Sequence, residues 1–180
     1  MKNNAGFTLI ELIVTVAVAA IVMMIGVPSF REVISNNSLT SNANAFVAAL
    51  NLARSEAIKR SMRVTLCSSA DGATCAVAGN YEQGWIVFAD PNSNGAVDAG
   101  EPIIQVSEAL SGGLTLIGNV NVQNYVSYVA AGVSQMNNGA FQAGTLTLCK
   151  SGYTTSARQL VLGSGGRMRI VKVEPAAGCP

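Results

Sequence analysis

The sequence predicts an α+β protein in which one long N-terminal α-helix packs on an antiparallel β-sheet or β-sandwich. Two observations support this prediction. A long uncharged run near the start is followed by an amphipathic helical pattern, and the rest of the chain is a series of short β-rich runs separated by turn residues. The predicted divisions are a leader at 1–6, an apolar helix at 7–30, an amphipathic helix at 31–61 and a β-rich domain at 62–180.

The first helical segment is long enough to cross a membrane. The nineteen uncharged residues of Leu12–Phe30 span about 29 Å at roughly 1.5 Å per residue. A secretory signal peptide has a shorter apolar core, followed directly by a small-x-small cleavage site, whereas the nearest such triplet here begins at Ser41. A simple anchor explains the length of the run but not Glu11, because a carboxylate at the edge of a bilayer is costly.

The residues around Glu11 carry a specific resemblance. The run Gly6-Phe7-Thr8-Leu9-Ile10-Glu11-Leu12 resembles the class III signal of type IV pilins and type II secretion pseudopilins. The resemblance implies that a prepilin peptidase cuts between Gly6 and Phe7 and methylates the new amine of Phe7. It also implies that the N-terminal helix binds other minor and major pilins, after anchoring the chain in the bacterial inner membrane.

Physical chemistry gives Glu11 a role in such an assembly. In a staggered bundle of helices, Glu11 of one subunit would pair with the Phe7 amine of its neighbour. An unpaired carboxylate is strongly disfavoured in a low-dielectric environment and a paired one is tolerated. We therefore expect assembly to neutralise a charge that the lone subunit leaves uncompensated.

Two residues inside the apolar run weaken its helix. Pro28 cannot donate a helical hydrogen bond, and Gly26 lies one half-turn before it, so a kink or local melting is predicted there. Both residue types are also tolerated in ordinary membrane helices. The resemblance to pilins implies that this point lets the helix stretch on entering a filament.

The charge distribution and the cysteines place limits on function. The chain has no histidine, so a Ser-His or Cys-His catalytic pair is excluded and no enzyme is predicted. Lys2 before the apolar run favours a cytoplasmic N-terminus and an exported domain, where disulfides form. Of three connectivities, we favour Cys67–Cys75 and Cys149–Cys179, because the first closes a short loop and the second ties down the tail.

After the apolar run, the periodicity changes twice. An apolar stripe at helical spacing comes first, and Val47 and Ile58 broaden it. The stripe consists of Leu39, Ala43, Phe46, Leu50, Ala53 and Ala57. Short strand-like runs follow. They are Arg63–Cys67, Trp85–Ala89, Ile103–Ser107, Leu114–Ile117, Tyr125–Ala130, Thr145–Lys150, Gln159–Leu162 and Met168–Val173.

Weaker motifs along the chain resemble one branch of the family, the GspH/FimT type of minor pilins and pseudopilins. They are Leu52–Ala57, Gly84–Phe88 and Gly166–Arg169. The leading function that this implies is a minor type IV pilin that primes assembly at or near the pilus tip. The alternatives are a FimT-like pilin that binds double-stranded DNA during natural transformation and a GspH-like pseudopilin of type II secretion.

One loop has the spacing of a twelve-residue calcium site. Side chains or carbonyls at six positions would supply oxygens, and Gly95 would supply the sharp turn. The six positions are Asp90, Asn92, Asn94, Ala96, Asp98 and Glu101. The flanking runs resemble strands rather than helices, and the same residue types form ordinary turns. No other cofactor is predicted.

The C-terminal region is locally basic. No Lys or Arg occurs between Val64 and Cys149, whereas five bases and one acid follow. The segment Gly166-Arg167-Met168-Arg169 matches the Gly-Arg-x-Arg motif of DNA-binding FimT-like pilins. Arg167 and Arg169, with Arg158 and Lys172, are therefore candidates to contact phosphates. The alternative is a solvated strand edge after a turn.

Overall fold

A computed structural model describes residues 7–76, 80–174 and 179, with only the backbone described at 153–155. One helix, α1, runs from Leu9 to Arg60 and contains Pro28. The chain divides into two compact units, of which the first ends at Asn37 and the second begins at Ser38. In the described part of the chain, α1 is the one helix that is long and apolar enough to span a membrane.

Within the described residues, the second unit contains eight strands, which lie close to the predicted runs. They are β1 Val64–Ser68, β2 Trp85–Ala89, β3 Ile103–Ser107, β4 Leu114–Gly118, β5 Tyr125–Tyr128, β6 Gly144–Lys150, β7 Tyr153–Leu162 and β8 Met168–Val173. They form two four-stranded sheets, in the orders β3-β2-β1-β5 and β4-β6-β7-β8. All six pairings are antiparallel. The predicted α+β class is confirmed.

The helical stripe forms the centre of the core. All six residues of the stripe are fully buried, together with inward side chains from both sheets. The ring of Phe46 contacts Tyr81 and Trp85 edge to face, with both centroid distances at 5.1 Å. Val47 is half-buried against the core as predicted, but Ile58 is 51 % exposed, so its assignment to the stripe is wrong.

Strands β1 and β2 are buried on both faces, and β2 is apolar along its whole length whereas β1 also buries Thr65 and Ser68. One face joins the main core, and the other forms a small second cluster around Cys67, Ile86 and Phe88. Val97, from the loop after β2, packs against this second cluster. The loop is therefore part of the packed structure.

The structure contains the two favoured disulfides, Cys67–Cys75 and Cys149–Cys179. The shorter loop is organised by Asp71, whose carboxylate accepts hydrogen bonds from the Thr74 hydroxyl and from the backbone of Thr74 and Ala73. These bonds hold the pKa of Asp71 well below its usual range. Because the folded pKa is lowered, this contribution to stability is present at neutral pH and is lost in strong acid.

Candidate functional site

The N-terminus of α1 is closed by a reciprocal pair of hydrogen bonds between Thr8 and Glu11. The backbone N–H of Thr8 donates to Glu11 Oε2 at 3.1 Å, and the backbone N–H of Glu11 donates to Thr8 Oγ1 at 3.3 Å. The Thr8 hydroxyl also donates to Glu11 Oε2 at 2.9 Å. This is a capping box, which satisfies backbone donors at the start of a helix.

The capping box adds a second role for Glu11. Its carboxylate accepts hydrogen bonds within its own chain, but these neutral donors supply no opposite charge, so the expected pairing with a neighbouring amine stays a prediction. Sequence reasoning missed this role, although Thr-x-x-Glu before an apolar run is a recognised helix-start signal. Phe7 is 84 % exposed, and Gly6 of the predicted cleavage site lies outside the described residues.

The helix is assigned without interruption through Gly26 and Pro28. Local melting at Pro28 is therefore not seen in the single chain, and a change on entry into a filament stays a prediction. All Leu, Ile, Val, Met and Phe side chains from Leu9 to Phe30 are exposed in the single chain. Such a surface requires lipid or other helices to bury it.

The predicted calcium loop is tied together by its own hydrogen bonds. Asp90 is fully buried and accepts bonds from the Thr65 hydroxyl and from the backbone N–H groups of Asn94 and Gly95. Asn92 and Asn94 both donate their side-chain amides to Asp98 Oδ2, at 2.7 and 2.6 Å. These bonds stabilise the turn without any ion.

Other oxygens of the loop are also engaged. The backbone N–H of Ala96 donates to Asn94 Oδ1, and that of Asp98 donates to Glu101 Oε2. Glu101 Oε1 is buried and lacks a hydrogen bond among the described residues. No group of three His, Cys, Asp or Glu side chains with metal-binding geometry occurs in the described ranges. Calcium binding would therefore require the Asn92 and Asn94 amides to give up their bonds to Asp98 and to turn their oxygens toward the ion.

The four candidate phosphate-binding residues do not form one surface. Arg158 is only 8 % exposed and donates to the Ala157 carbonyl and to Thr40 Oγ1, so its predicted place in a DNA interface is wrong. In the β7–β8 register, Arg158 lies opposite Lys172 and Val161 lies opposite Arg169. Because strand side chains alternate, Lys172 and Arg169 project from opposite faces of β8.

Arg167 and Arg169 remain exposed beside the β7–β8 turn. The turn closes through bonds from the N–H of Gly163 to the Arg167 carbonyl and from the N–H of Gly166 to the Gly163 carbonyl. Gly166 has φ of 75°, and a Cβ at this position would lie 2.9 Å from the Gly132 carbonyl oxygen. The glycine of the motif is thus required by the fold itself, whether or not DNA binds.

Comparison with known proteins decides the family. Residues 42–166 match the family model described as Type II transport protein GspH, and residues 1–27 match the prokaryotic N-terminal methylation motif. The chain belongs to the GspH family. No curated protein matches it.

Two solved structures share the fold of this GspH-family chain. The type IV minor pilin FimU of Pseudomonas aeruginosa is 21 % identical with a TM-score of 0.56, over 81 % of this chain and 94 % of the FimU chain. The minor pseudopilin EpsH from the type II secretion system of Vibrio cholerae is 14 % identical with a TM-score of 0.51, over 74 % and 96 % of the two chains. The GspH-family model and the methylation motif indicate a pilin-like protein, and the two solved structures share its fold.

Replacing Gly166 with alanine is expected to destabilise the GspH-family chain by about 1–3 kcal/mol, because the positive φ and the close carbonyl both oppose a side chain. Gly165 is the matched control, since a Cβ there meets nothing within 4 Å. Gly165→Ala should change stability by less than about 0.5 kcal/mol. Urea unfolding of both variants tests this, and equal stabilities would show that Gly166 is not constrained.

Calcium binding stays a prediction for the loop of the GspH-family chain. Isothermal titration of the full chain in detergent should show saturable heat with a dissociation constant of about 10⁻⁴–10⁻³ M. Glu101→Gln should abolish the heat, and Glu108→Gln, outside the loop, should not. Absence of heat at millimolar calcium would contradict the prediction, and the loop would then be held by its internal hydrogen bonds alone.

Proposed function

We propose that this chain is a minor type IV pilin that prepilin peptidase cuts between Gly6 and Phe7 and methylates at Phe7. Its apolar helix would then hold it in the inner membrane, with the β-rich domain in the periplasm, until it enters a pilus at or near the tip and primes assembly. The main support is the combination of a GspH-family domain with a stem that exposes apolar side chains and has one acid, Glu11, in its first turn.

The chemistry of the stem favours assembly over anchoring. An anchor gains nothing from Glu11, whereas a helix that leaves the bilayer for a bundle can use it to set its register against a neighbouring amine. The capping box does not prevent pairing with a neighbouring amine, because its bonds use only one of the two carboxylate oxygens of Glu11, Oε2. The chain is thus proposed as a structural subunit rather than an enzyme.

Mass spectrometry of the protein isolated from its native bacterium tests the proposal. The expected product begins at Phe7 and carries one methyl group on its amine. An intact leader would contradict the proposal, as would cleavage at any other bond.

In a deletion strain we expect few pili, with their number restored by the wild-type chain supplied on a plasmid.

A pseudopilin of type II secretion is the alternative closest in chemistry. The solved EpsH structure shares the fold, as does FimU, so the fold does not favour either system. Neighbouring genes separate them: other minor pilins with a tip adhesin support the pilus, and secretion components support the pseudopilus. Loss of protein export with normal piliation in the deletion strain would replace the leading proposal with this one.

DNA capture is the second alternative, supported by exposed Arg167 and Arg169 beside one turn. If these arginines contact phosphates, an Arg167→Ala/Arg169→Ala variant should bind duplex DNA about tenfold more weakly. The slope of log affinity against log salt concentration should also become shallower by about two, because two phosphate contacts are lost. A Lys59→Ala/Arg60→Ala variant removes the same charge from the end of α1 and should bind normally. Gel-shift assays measure this, and equal retardation by all three proteins would remove both arginines from the proposal.

A further inference from the structure

The two sheets expose four outer strands, and two of these are capped from within the chain. On β4, the backbone N–H of Leu116 donates to Glu82 Oε2 at 3.1 Å. On β5, the N–H of Ser127 donates to Gln142 Oε1 at 2.9 Å, and the Ser127 carbonyl accepts from Gln135. These contacts occupy backbone groups that would otherwise pair with another strand.

The other two outer strands, β3 and β8, have no such cap within the described residues. Each is hydrogen-bonded to one neighbouring strand, β2 and β7 respectively. Both also expose apolar side chains: Val106 of β3 is 54 % exposed, and Ile170 of β8 is 36 % exposed. An uncapped and partly apolar edge is a template for adding a strand from another chain.

The two uncapped edges carry opposite charge. Exposed Glu108 follows β3 directly, and a cleft at this end of β3 is lined by Asp71, Val106 and Glu108. No base occurs in the sequence between Val64 and Cys149. On β8, Arg169 and Lys172 are exposed, while the ion pair of Lys172 with Glu174 leaves Arg169 available. Opposite charges on the two edges favour their mutual approach.

The two edges cannot meet within one chain. The end of β3 adjoins the β4 side of the domain, because Leu110 N–H donates to the Glu82 carbonyl and Glu82 caps β4. The start of β8 adjoins β5, because the Ser134 hydroxyl of the β5 side reaches the Gly163 carbonyl in the β7–β8 turn. The uncapped edges therefore lie at opposite sides of the sandwich, which is the arrangement that a head-to-tail contact between copies requires.

We propose that the β3 edge binds the β8 edge of a second copy of this chain, which joins the first sheet of one copy to the second sheet of the other. The backbone groups of the two edges supply the affinity, and the acidic end of β3 selects the basic strand. This contact lies in the β-rich domain and does not use Glu11 or the amine of Phe7. It can therefore be tested before leader cleavage and separately from the proposed function.

Site-specific photocross-linking in membranes tests the contact on the full chain. A benzoylphenylalanine at position 105, in β3, should give a product of twice the chain mass, in which the labelled peptide is joined to β8. The same residue at position 117, on the capped strand β4, is the matched control and should give little product. Equal yields from positions 105 and 117 would overturn the proposal, as would a product between this chain and a different protein.

Charge reversal provides a second, independent measurement. Glu108→Lys and Arg169→Glu should each lower the yield at position 105 about fivefold or more, and the two together should restore most of it. Trp85 fluorescence confirms that each variant is folded, since Trp85 is buried and is the one tryptophan of the chain. Unchanged yields from folded single variants would overturn the proposal, and so would failure of the combined variant to recover.

Discussion

Replacing Glu11 with alanine is expected to abolish incorporation of the chain into filaments while leaving leader cleavage intact. The physical reason is that the variant cannot pair with the Phe7 amine of a neighbouring subunit. Glu11 is the one acid before Glu32, so no other acid of the apolar segment can replace it. An unpaired charge in such an environment costs several kcal/mol. Shear fractions of wild-type and variant cells, compared by immunoblot, measure incorporation.

Two further variants separate assembly from helix capping. Thr8→Val removes the capping box but keeps the carboxylate, and the loss of a cap costs about 0.5–2 kcal/mol of helix stability. We expect reduced but detectable incorporation of Thr8→Val, and near-normal incorporation of Thr8→Ser, which keeps the hydroxyl. If Glu11→Ala enters filaments like the wild type, the pairing of Glu11 with a neighbouring amine is contradicted.

Replacing Phe46 with alanine is expected to lower the free energy of unfolding of the β-rich domain by about 3–5 kcal/mol. Phe46 is fully buried between α1 and the sheets, where its ring contacts Tyr81 and Trp85 at 5.1 Å. Deleting the ring leaves a cavity and also removes two edge-to-face contacts, which are worth about 0.5–1.5 kcal/mol each beyond the buried area. No other aromatic side chain of α1 lies in the core.

Urea unfolding of the full chain in detergent, followed by Trp85 fluorescence, measures this loss directly. Phe46→Leu keeps most of the apolar volume and should cost clearly less than Phe46→Ala. Phe141→Ala is the surface control, because Phe141 is 71 % exposed and its removal should change stability by less than about 0.5 kcal/mol. Similar unfolding midpoints for Phe46→Ala and Phe141→Ala would contradict the packing described here.

Local pattern was sufficient to predict most elements of the fold. The step of three and four residues from Leu39 to Ala57 identified the buried face of α1, and short β-branched runs identified all eight strands. Strand β7 begins at Tyr153, six residues before its predicted start at Gln159. The part that was not predicted, 153–158, includes Ala157, which has low strand propensity, and pairing with β8 at Ala157 and Arg158 overrides that preference.

The site residues depended more on tertiary context. The burial of Arg158 depends on its contact with Thr40, 118 residues earlier in the chain, which sequence spacing does not fix. The placement of Arg169 and Lys172 on opposite faces follows from their odd spacing within one strand and was available from the sequence. The capping role of Glu11 could be predicted from Thr8, three residues earlier, because Thr-x-x-Glu is the spacing of a capping box. Asp90 was selected as a candidate calcium ligand, which stays a prediction, and its full burial was not predicted.

If the β-rich domain is exported as proposed, the Cys149–Cys179 bridge sets an order of events. Strands β7 and β8 both lie between its two cysteines, so this bridge would form only after the whole β7–β8 hairpin has crossed the membrane. The Cys67–Cys75 loop, only eight residues apart, can be oxidised while the chain is still emerging. Thiol oxidation would then occur in two stages, and the second bridge would form only in a molecule whose last strand, β8, has been exported.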